Sequence, residues 1–263
     1  MVGKAISIHS SRGGTGKSVI ATNLFMTLLR KGFNVSLLDL DFRVPSLFSI
    51  FREGIKRPVR YWLNDFFNGR CKTDQVLVDI SESCSTDRKV LIGLANPSIY
   101  AIGDMVGKSQ AWEASALDKL YSLRASLLKD MSIDYLIYDT SPGIQYSSIN
   151  AVVSSDLPIV VATSDSLDIE GVTNMLAEFY DVFEKKTLIL MNKVFPETDL
   201  PPEEKEKELI SQLEETLDHP IVGVIPCYCD VLRAKRDYLL SLKNPAHPFT
   251  KKLEEIAEKI VQH

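Results

Sequence analysis

Seven short apolar runs fix what this chain can become. KAISIH (4–9), NVSLLD (34–39), KVLIGL (89–94), DYLIYD (134–139), LPIVVAT (157–163), TLILMN (187–192) and IVGVI (221–225) are rich in β-formers and carry apolar side chains on both faces of an extended chain. A strand apolar on both faces has to be covered on both, which is the condition of a parallel sheet between two layers of helices. Stretches of helical period lie between the runs. Residues 17–31 end at Gly32, suited to a left-handed C′ position, and 113–129 space Leu117, Leu120, Leu123, Leu127 and Leu128 along one side of a helix. Further helices are expected near 59–68, 166–183, 203–217 and 249–262. Strand–helix alternation from end to end predicts an α/β fold: a single doubly wound, mostly parallel sheet with helices on both faces, forming one domain over 1–263. With 263 residues, 45% of them hydrophobic, the chain can bury such a core. Residues 43–88 are the least regular part, and 196–208 read as a polar turn feeding an exposed helix.

Charge and cysteine content narrow the setting. A net charge of -5 gives no global attraction to nucleic acid or anionic membrane. Four scattered cysteines, Cys71, Cys84, Cys227 and Cys229, make no disulfide framework, the apolar stretch at the start is too short for a signal peptide, and no run approaches the roughly 20 apolar residues of a bilayer span. The expectation is a soluble protein of a reducing cytoplasm.

The sequence SSRGGTGKS (10–18) follows the first strand and opens the first helix, the setting a phosphate-binding loop requires. The usual G-x-x-x-x-G-K-[ST] spacing has Ser11 at its first glycine, and Gly13, Gly14 and Gly16 fill the body of the loop. Backbone amides can curl around a phosphate only where no Cβ intrudes, and the helix start adds partial positive charge. The amides of Gly13, Gly14, Thr15, Gly16, Lys17, Ser18 and Val19 are therefore the candidate cradle. Lys17 would bridge β- and γ-phosphates, with the Ser18 hydroxyl on Mg²⁺.

These residues resemble the deviant Walker A motif, K-G-G-x-G-K-[ST], of the MinD/ParA ATPases, and the resemblance runs along nearly the whole chain. Arg12 stands where that family has a signature lysine that reaches across a nucleotide-sandwich dimer. The resemblance implies the same role in trans for Arg12, since a guanidinium keeps the charge and forks onto phosphate. The residue-level alternative is an arginine that steadies the loop or pairs with a local carboxylate. LLDLDFRVPSL (37–47) resembles the family's switch I, which makes Asp41 the residue that organises the attacking water and the Mg²⁺ shell. LIYDTSPGI (136–144) resembles Walker B and switch II, with Asp139 supporting Mg²⁺ and the Gly143 amide free to approach the γ-phosphate. In LILMNKVF the fourth position of a guanine-specific N-K-x-D loop is Phe195, which disfavours GTP. Asn192 and Pro226 fit the family's adenine neighbours. ATP and Mg²⁺ are the implied cofactors.

The remaining features bear on partners. Cys227 and Cys229 could supply half of a tetrahedral metal site, against the reading of two packed thiols. His9 reads as a packed strand residue. Arg52, Lys56, Arg57 and Arg60 form one basic cluster and Arg233, Lys235 and Arg236 another, each either a DNA or lipid contact or a solvated face. The tail helix sets Phe249, Leu253, Ile256 and Ile260 on one stripe while balancing lysine with glutamate, which points to core packing rather than membrane anchoring. The resulting expectation is an ATP-dependent homodimer that hydrolyses ATP slowly and acts on an unidentified activator or cargo protein. A metal-delivery ATPase of the same fold and a nucleotide-locked scaffold are the alternatives.

Overall fold

The computed structural model describes residues 3–195, 202–233 and 239–263. Its strands are β1 (Lys4–His9), β2 (Val35–Leu40), β3 (Leu77–Asp79), β4 (Val90–Gly93), β5 (Tyr135–Thr140), β6 (Leu157–Ala162), β7 (Leu188–Val194) and β8 (Ile221–Pro226). They form one sheet in the order β3-β4-β2-β5-β1-β6-β7-β8, parallel throughout except for the β3–β4 pair. The helices are α1 (Lys17–Arg30), α2 (Leu47–Phe51), α3 (Leu63–Phe67), α4 (Thr73–Val76), α5 (Ile99–Val106), α6 (Gln110–Ala125), α7 (Tyr146–Ser154), α8 (Ser166–Met175), α9 (Pro202–Leu217), α10 (Cys229–Arg233), α11 (Leu240–Lys243) and α12 (Pro248–Gln262).

Alternate side chains of each strand enter opposite cores, as a period of two demands. Ile6, Ile8, Ile137 and Ile159 pack with α1 and α12. Ala5, Leu136 and Tyr138 pack with α6 and α7 on the other side, and Val160, Ile189 and Met191 with α8 and α9. The order also places the site. The chain leaves β1 toward β2 on one side, and after β5 it steps over β1 to β6 on the other, so β1 is the topological switch point where open α/β sheets leave a crevice at the strand ends.

Several expected boundaries move, each for a local reason. The helix expected near 59–68 is only Leu63–Phe67, because the Asp65 carboxylate accepts the Trp62 amide at 3.0 Å and starts the turn there. The leucine-striped helix begins earlier, at Gln110, where the Ser109 hydroxyl accepts the Trp112 amide at 3.3 Å, and it closes in a wider turn over Ser126–Asp130. The helix expected over 166–183 is α8 followed by a wider turn, Leu176–Tyr180. Strand β3 and helices α2, α4, α5, α7, α10 and α11 are additions. Gly32 takes the left-handed conformation, φ +89°, as its place after α1 predicts.

Helix α12 spends its apolar stripe on the core. Phe249, Leu253, Ile256 and Ile260 are all buried, and Arg30–Glu254 and Lys31–Glu258 pairs, each 2.7 Å, tie its outer edge to α1. Strand β8 makes room with Gly223, where a Cβ would lie 2.6 Å from Ile256 Cγ1. Among the described residues no helix is long and apolar enough to cross a membrane. Leu253→Ala is therefore expected to cost about 2–5 kcal/mol in urea unfolding. A loss below about 1 kcal/mol would mean that α12 is not an anchored part of the fold.

Candidate functional site

The loop between β1 and α1 is shaped by what holds its carbonyls. The Asn192 side-chain amide donates to the Thr15 carbonyl at 2.7 Å, Lys193 Nζ to the Gly14 carbonyl at 2.6 Å, and the Ser10 hydroxyl to the Arg12 carbonyl at 2.7 Å. In a planar trans peptide the N–H points opposite to the C=O. Holding these three carbonyls from outside therefore turns the amides of Gly13, Thr15 and Gly16 toward the inside of the loop. Gly14 and Gly16 make the bend at φ +87° and +99°, and a Cβ on Gly16 would lie 2.4 Å from Asn192 Nδ2. Helix α1 then starts at Lys17 with no side chain capping it and no acid in its first turn, so the amides through Ser18 and Val19 face the same space.

Two buried charges border that space without a direct partner. Lys17 is 7% exposed, and among the described residues no carboxylate lies within ion-pair distance of it. Burial lowers its pKa, and the fields of Asp139, Asp41 and Asp168 oppose that shift. Asp139 lies one residue before the end of β5, fully buried, with no hydrogen-bond partner on either carboxylate oxygen. Desolvation raises its pKa to about 7, against the smaller opposing influence of the nearby Ser18 hydroxyl and of Lys17. An orphaned carboxylate beside an inward-facing hydroxyl suits a hard cation, and an unpaired ammonium beside inward-facing amides suits phosphate. The residues thus fit both implied groups.

The two aspartates of the D-x-D run take different work. Asp39 lies opposite Asp139 in the strand register and is fully buried, which pushes its pKa well up. Its oxygens accept the amides of Asp41 and Ser46 at 3.2 Å and of Leu47 at 3.1 Å, pinning the chain that enters α2. Asp41 Oδ1 accepts the amides of Arg43 and Val44 at 3.2 and 3.0 Å and the Ser141 hydroxyl at 2.9 Å. That last bond joins the loop after β2 to the loop after β5. Among the described residues nothing donates to Asp41 Oδ2, which remains for water or metal.

Other expected residues sit differently from the simplest reading. Arg12 is 42% exposed and paired within the chain, to Asp165 at 2.5 Å and more loosely to Asp168 at 3.4 Å, so its resting partner is the local carboxylate. The guanidinium holds Asp165 below the usual carboxylate range. Asn192, expected at the base, spends its NH₂ on the loop, while Pro226 ends the neighbouring β8. The Gly143 amide donates to the Ser10 carbonyl at 2.8 Å rather than standing free. Cys227 and Cys229 have no further ligand, since among the described residues no three or more His, Cys, Asp or Glu side chains are grouped to hold a metal. Arg52, Lys56, Arg57 and Arg60 are exposed, with Lys56 paired to Glu82; Lys235, Arg236 and the Arg233 side chain lie outside the described residues.

Sequence reasoning missed Asp165 and Asp168, Lys193, Ser141 and the support given by His9. Only the aspartates left a signal: D-S-L-D at a helix start is capping chemistry, and Asp165 accepts the Leu167 and Asp168 amides at 3.1 and 3.2 Å. His9 is fully buried, with Nε2 3.0 Å from the Gly143 carbonyl and Nδ1 2.6 Å from the Tyr180 hydroxyl.

Residues 6–239 match the profile of the CobQ/CobB/MinD/ParA nucleotide binding domain. The putative septum site-determining protein MinD of Chlorella vulgaris is 25% identical over 225 residues, covering 85% of this chain and 72% of the algal protein. The chain spans 64% and 66% of two further algal MinD proteins. Among solved structures, MinD of Pyrococcus horikoshii with Mg-ADP superposes with a TM-score of 0.75 at 20% identity, covering 98% of this chain and 95% of that one. The ATP complex of a Cyanothece McdA variant superposes at 0.76 with 17% identity, covering 99% and 97%.

Two buried groups give opposite pH signatures. Asp139 is raised from 3.8 to about 7, so the nucleotide-free fold binds its proton more readily than the unfolded chain, and its cost builds as pH rises from about 4 and is complete above about 7. Asp139→Asn is expected to be more stable than wild type at pH 8 and to lose that advantage near pH 4, read by urea titration. His9 is lowered to about 4 by burial, so below its unfolded value of 6.5 only the unfolded chain gains the proton. The stability gap between wild type and His9→Gln should therefore shift in the variant's favour, by on the order of 3 kcal/mol between pH 7 and pH 4. A gap that does not move with pH would show that His9 titrates normally.

Proposed function

The chain belongs to the CobQ/CobB/MinD/ParA nucleotide-binding family, and on that premise we propose that it is an ATP-dependent dimerising switch that hydrolyses ATP slowly to ADP and phosphate while positioning or partitioning a cellular cargo. The observation that carries this reading is the pair of unpartnered buried charges, Lys17 and Asp139, beside a loop whose amides turn inward. The loop amides and Lys17 bind the β- and γ-phosphates. Ser18 and Asp139 hold the magnesium shell, with Asp41 completing it or aligning the attacking water. Magnesium, when bound, draws charge from the phosphate oxygens. The base lies toward the ends of β7 and β8, by Asn192 and Pro226.

Dimerisation enters through Arg12. To neutralise phosphate charge on a second copy, its guanidinium has to exchange Asp165 and Asp168 for the partner's phosphates, and its 42% exposure leaves that path open. Loss of the terminal phosphate would return the Gly143 amide to the Ser10 carbonyl and let the copies part. The algal relatives named for septum-site determination favour a role in cell organisation over metal delivery, which lacks a third ligand beside Cys227 and Cys229 among the described residues. A partner protein or DNA would then meet the nucleotide-bound pair, with Arg52, Lys56, Arg57 and Arg60 as the basic face for the latter.

Arg12→Ala is expected to leave nucleotide binding by the single copy within about threefold of wild type and to abolish ATP-driven dimerisation in light scattering. An unchanged dimer fraction would remove Arg12 from the interface. Asp41→Ala should accumulate as an ATP-loaded dimer with phosphate release lowered by roughly 100-fold or more. Normal turnover in that variant would take Asp41 out of the mechanism, and no phosphate release from the wild type would leave a nucleotide-locked scaffold.

A further inference from the structure

Gly143 is held from two directions by two different peptide units. Its amide belongs to the 142–143 peptide and donates to the Ser10 carbonyl at 2.8 Å. Its carbonyl belongs to the 143–144 peptide and accepts from the Ser148 hydroxyl at 2.7 Å and the Gln145 amide at 3.1 Å, both within its own turn, with His9 Nε2 reaching it from β1 at 3.0 Å. A carbonyl can only accept, so Nε2 carries the imidazole proton and Nδ1 is a bare acceptor. The Tyr180 hydroxyl, 2.6 Å from Nδ1, must then be the donor. The chain of bonds therefore runs one way, from the Tyr180 O–H through the ring to the Gly143 carbonyl. Both side chains are fully buried, and burial together with the Lys17 charge keeps the ring neutral, the state this directionality needs.

We propose that His9, oriented by Tyr180, is a positioning residue that anchors the carbonyl side of Gly143 so that the amide side alone swings between the Ser10 carbonyl and the terminal phosphate. Gly143 sits at φ +71°, and a Cβ there would lie 3.3 Å from the Ser11 carbonyl oxygen, so the pivot needs glycine. With the 143–144 peptide fixed, rotation about this one residue re-aims a single N–H and leaves α7, which starts three residues later, in place. Without His9 the carbonyl keeps only the Ser148 hydroxyl and the Gln145 amide, which belong to the same turn, so the tie to β1 is lost and the turn would follow the amide as a unit. The inference rests on the ATP-switch reading, because only a γ-phosphate gives the amide its second position.

The test combines ¹⁵N imidazole NMR with turnover. Only four histidines are present, so His9 is assigned by the signal lost in His9→Gln. The wild-type ring should show protonated Nε2 and unprotonated Nδ1 both without nucleotide and with Mg²⁺ and a non-hydrolysable ATP analogue, while the Gly143 amide shifts. His9→Leu should lower kcat by roughly three- to tenfold with analogue affinity nearly unchanged, and His9→Gln, whose amide can still donate, should recover much of that loss. Tyr180→Phe keeps the core volume and should leave the proton on Nε2, where the Gly143 carbonyl demands it, while the Nδ1 resonance shifts with the loss of its donor. A ring that changes tautomer on nucleotide binding, or a His9→Leu variant with wild-type kcat, overturns the anchor. Absence of nucleotide uptake by the wild type in calorimetry would instead sink the switch reading, with the Tyr180–His9 tautomer still readable in the nucleotide-free protein.

Discussion

Everything at the head of the sheet depends on two charges that the resting fold leaves unsatisfied. A buried carboxylate without a donor and a buried ammonium without a carboxylate each cost the fold several kcal/mol relative to water, unless the group neutralises. Asp139 meets the cost partly by holding its proton more tightly, and Lys17 by losing its own more easily. They are near enough to feel each other's field and are not paired. A fold selected for stability alone would close that gap into a salt bridge. Keeping it open means that the stabilisation is left for a bound anion and its cation to supply, and this links ligand occupancy to the packing of β1 against β5.

That open arrangement is possible because the scaffold around it is rigid where the loop is not. Strands β5, β1 and β6 are buried along nearly their whole length, and the loop hangs from side chains that arrive from farther away. Asn192 and Lys193, at the end of β7, reach the Thr15 and Gly14 carbonyls across 177 and 179 residues of sequence. The glycines permit the bend; the distant donors choose which way each peptide turns. Direction, rather than flexibility, is what a phosphate site requires of its backbone.

This division explains what could be read from sequence. The seven doubly apolar runs all became strands of the sheet, and the loop, Asp41 and Asp139 fell at strand ends as their spacing implied. Strand β3 was invisible because three residues, two half-buried and one exposed, carry no period, and α5 because Ile99 and Tyr100, 85% and 92% exposed, break the apolar pattern expected of a packed helix. Side-chain contacts to the backbone across long separations leave no spacing to detect, so Asn192 was legible as a site residue and its grip on Thr15 was not. Arg12 shows the same limit, since its charge is evident from the motif while its resting partner is set by how α8 is capped.

Helix α8 gives these separate contacts a common support. At its start Asp165 and Asp168 hold Arg12, and Asp168 also accepts the Ser11 hydroxyl at 2.7 Å. Where its last wider turn ends, Tyr180 orients the His9 ring that faces Gly143. One continuous helical segment thus touches Arg12 directly and Gly143 through the His9 ring, at points separated by its own length. Its core side, Val172, Met175, Leu176 and Phe179, is packed, while Leu167 and Glu170 are exposed. The packed side holds the two ends of the segment at a fixed separation, so the Arg12 contact and the His9 contact are set by one helix rather than by the loop itself.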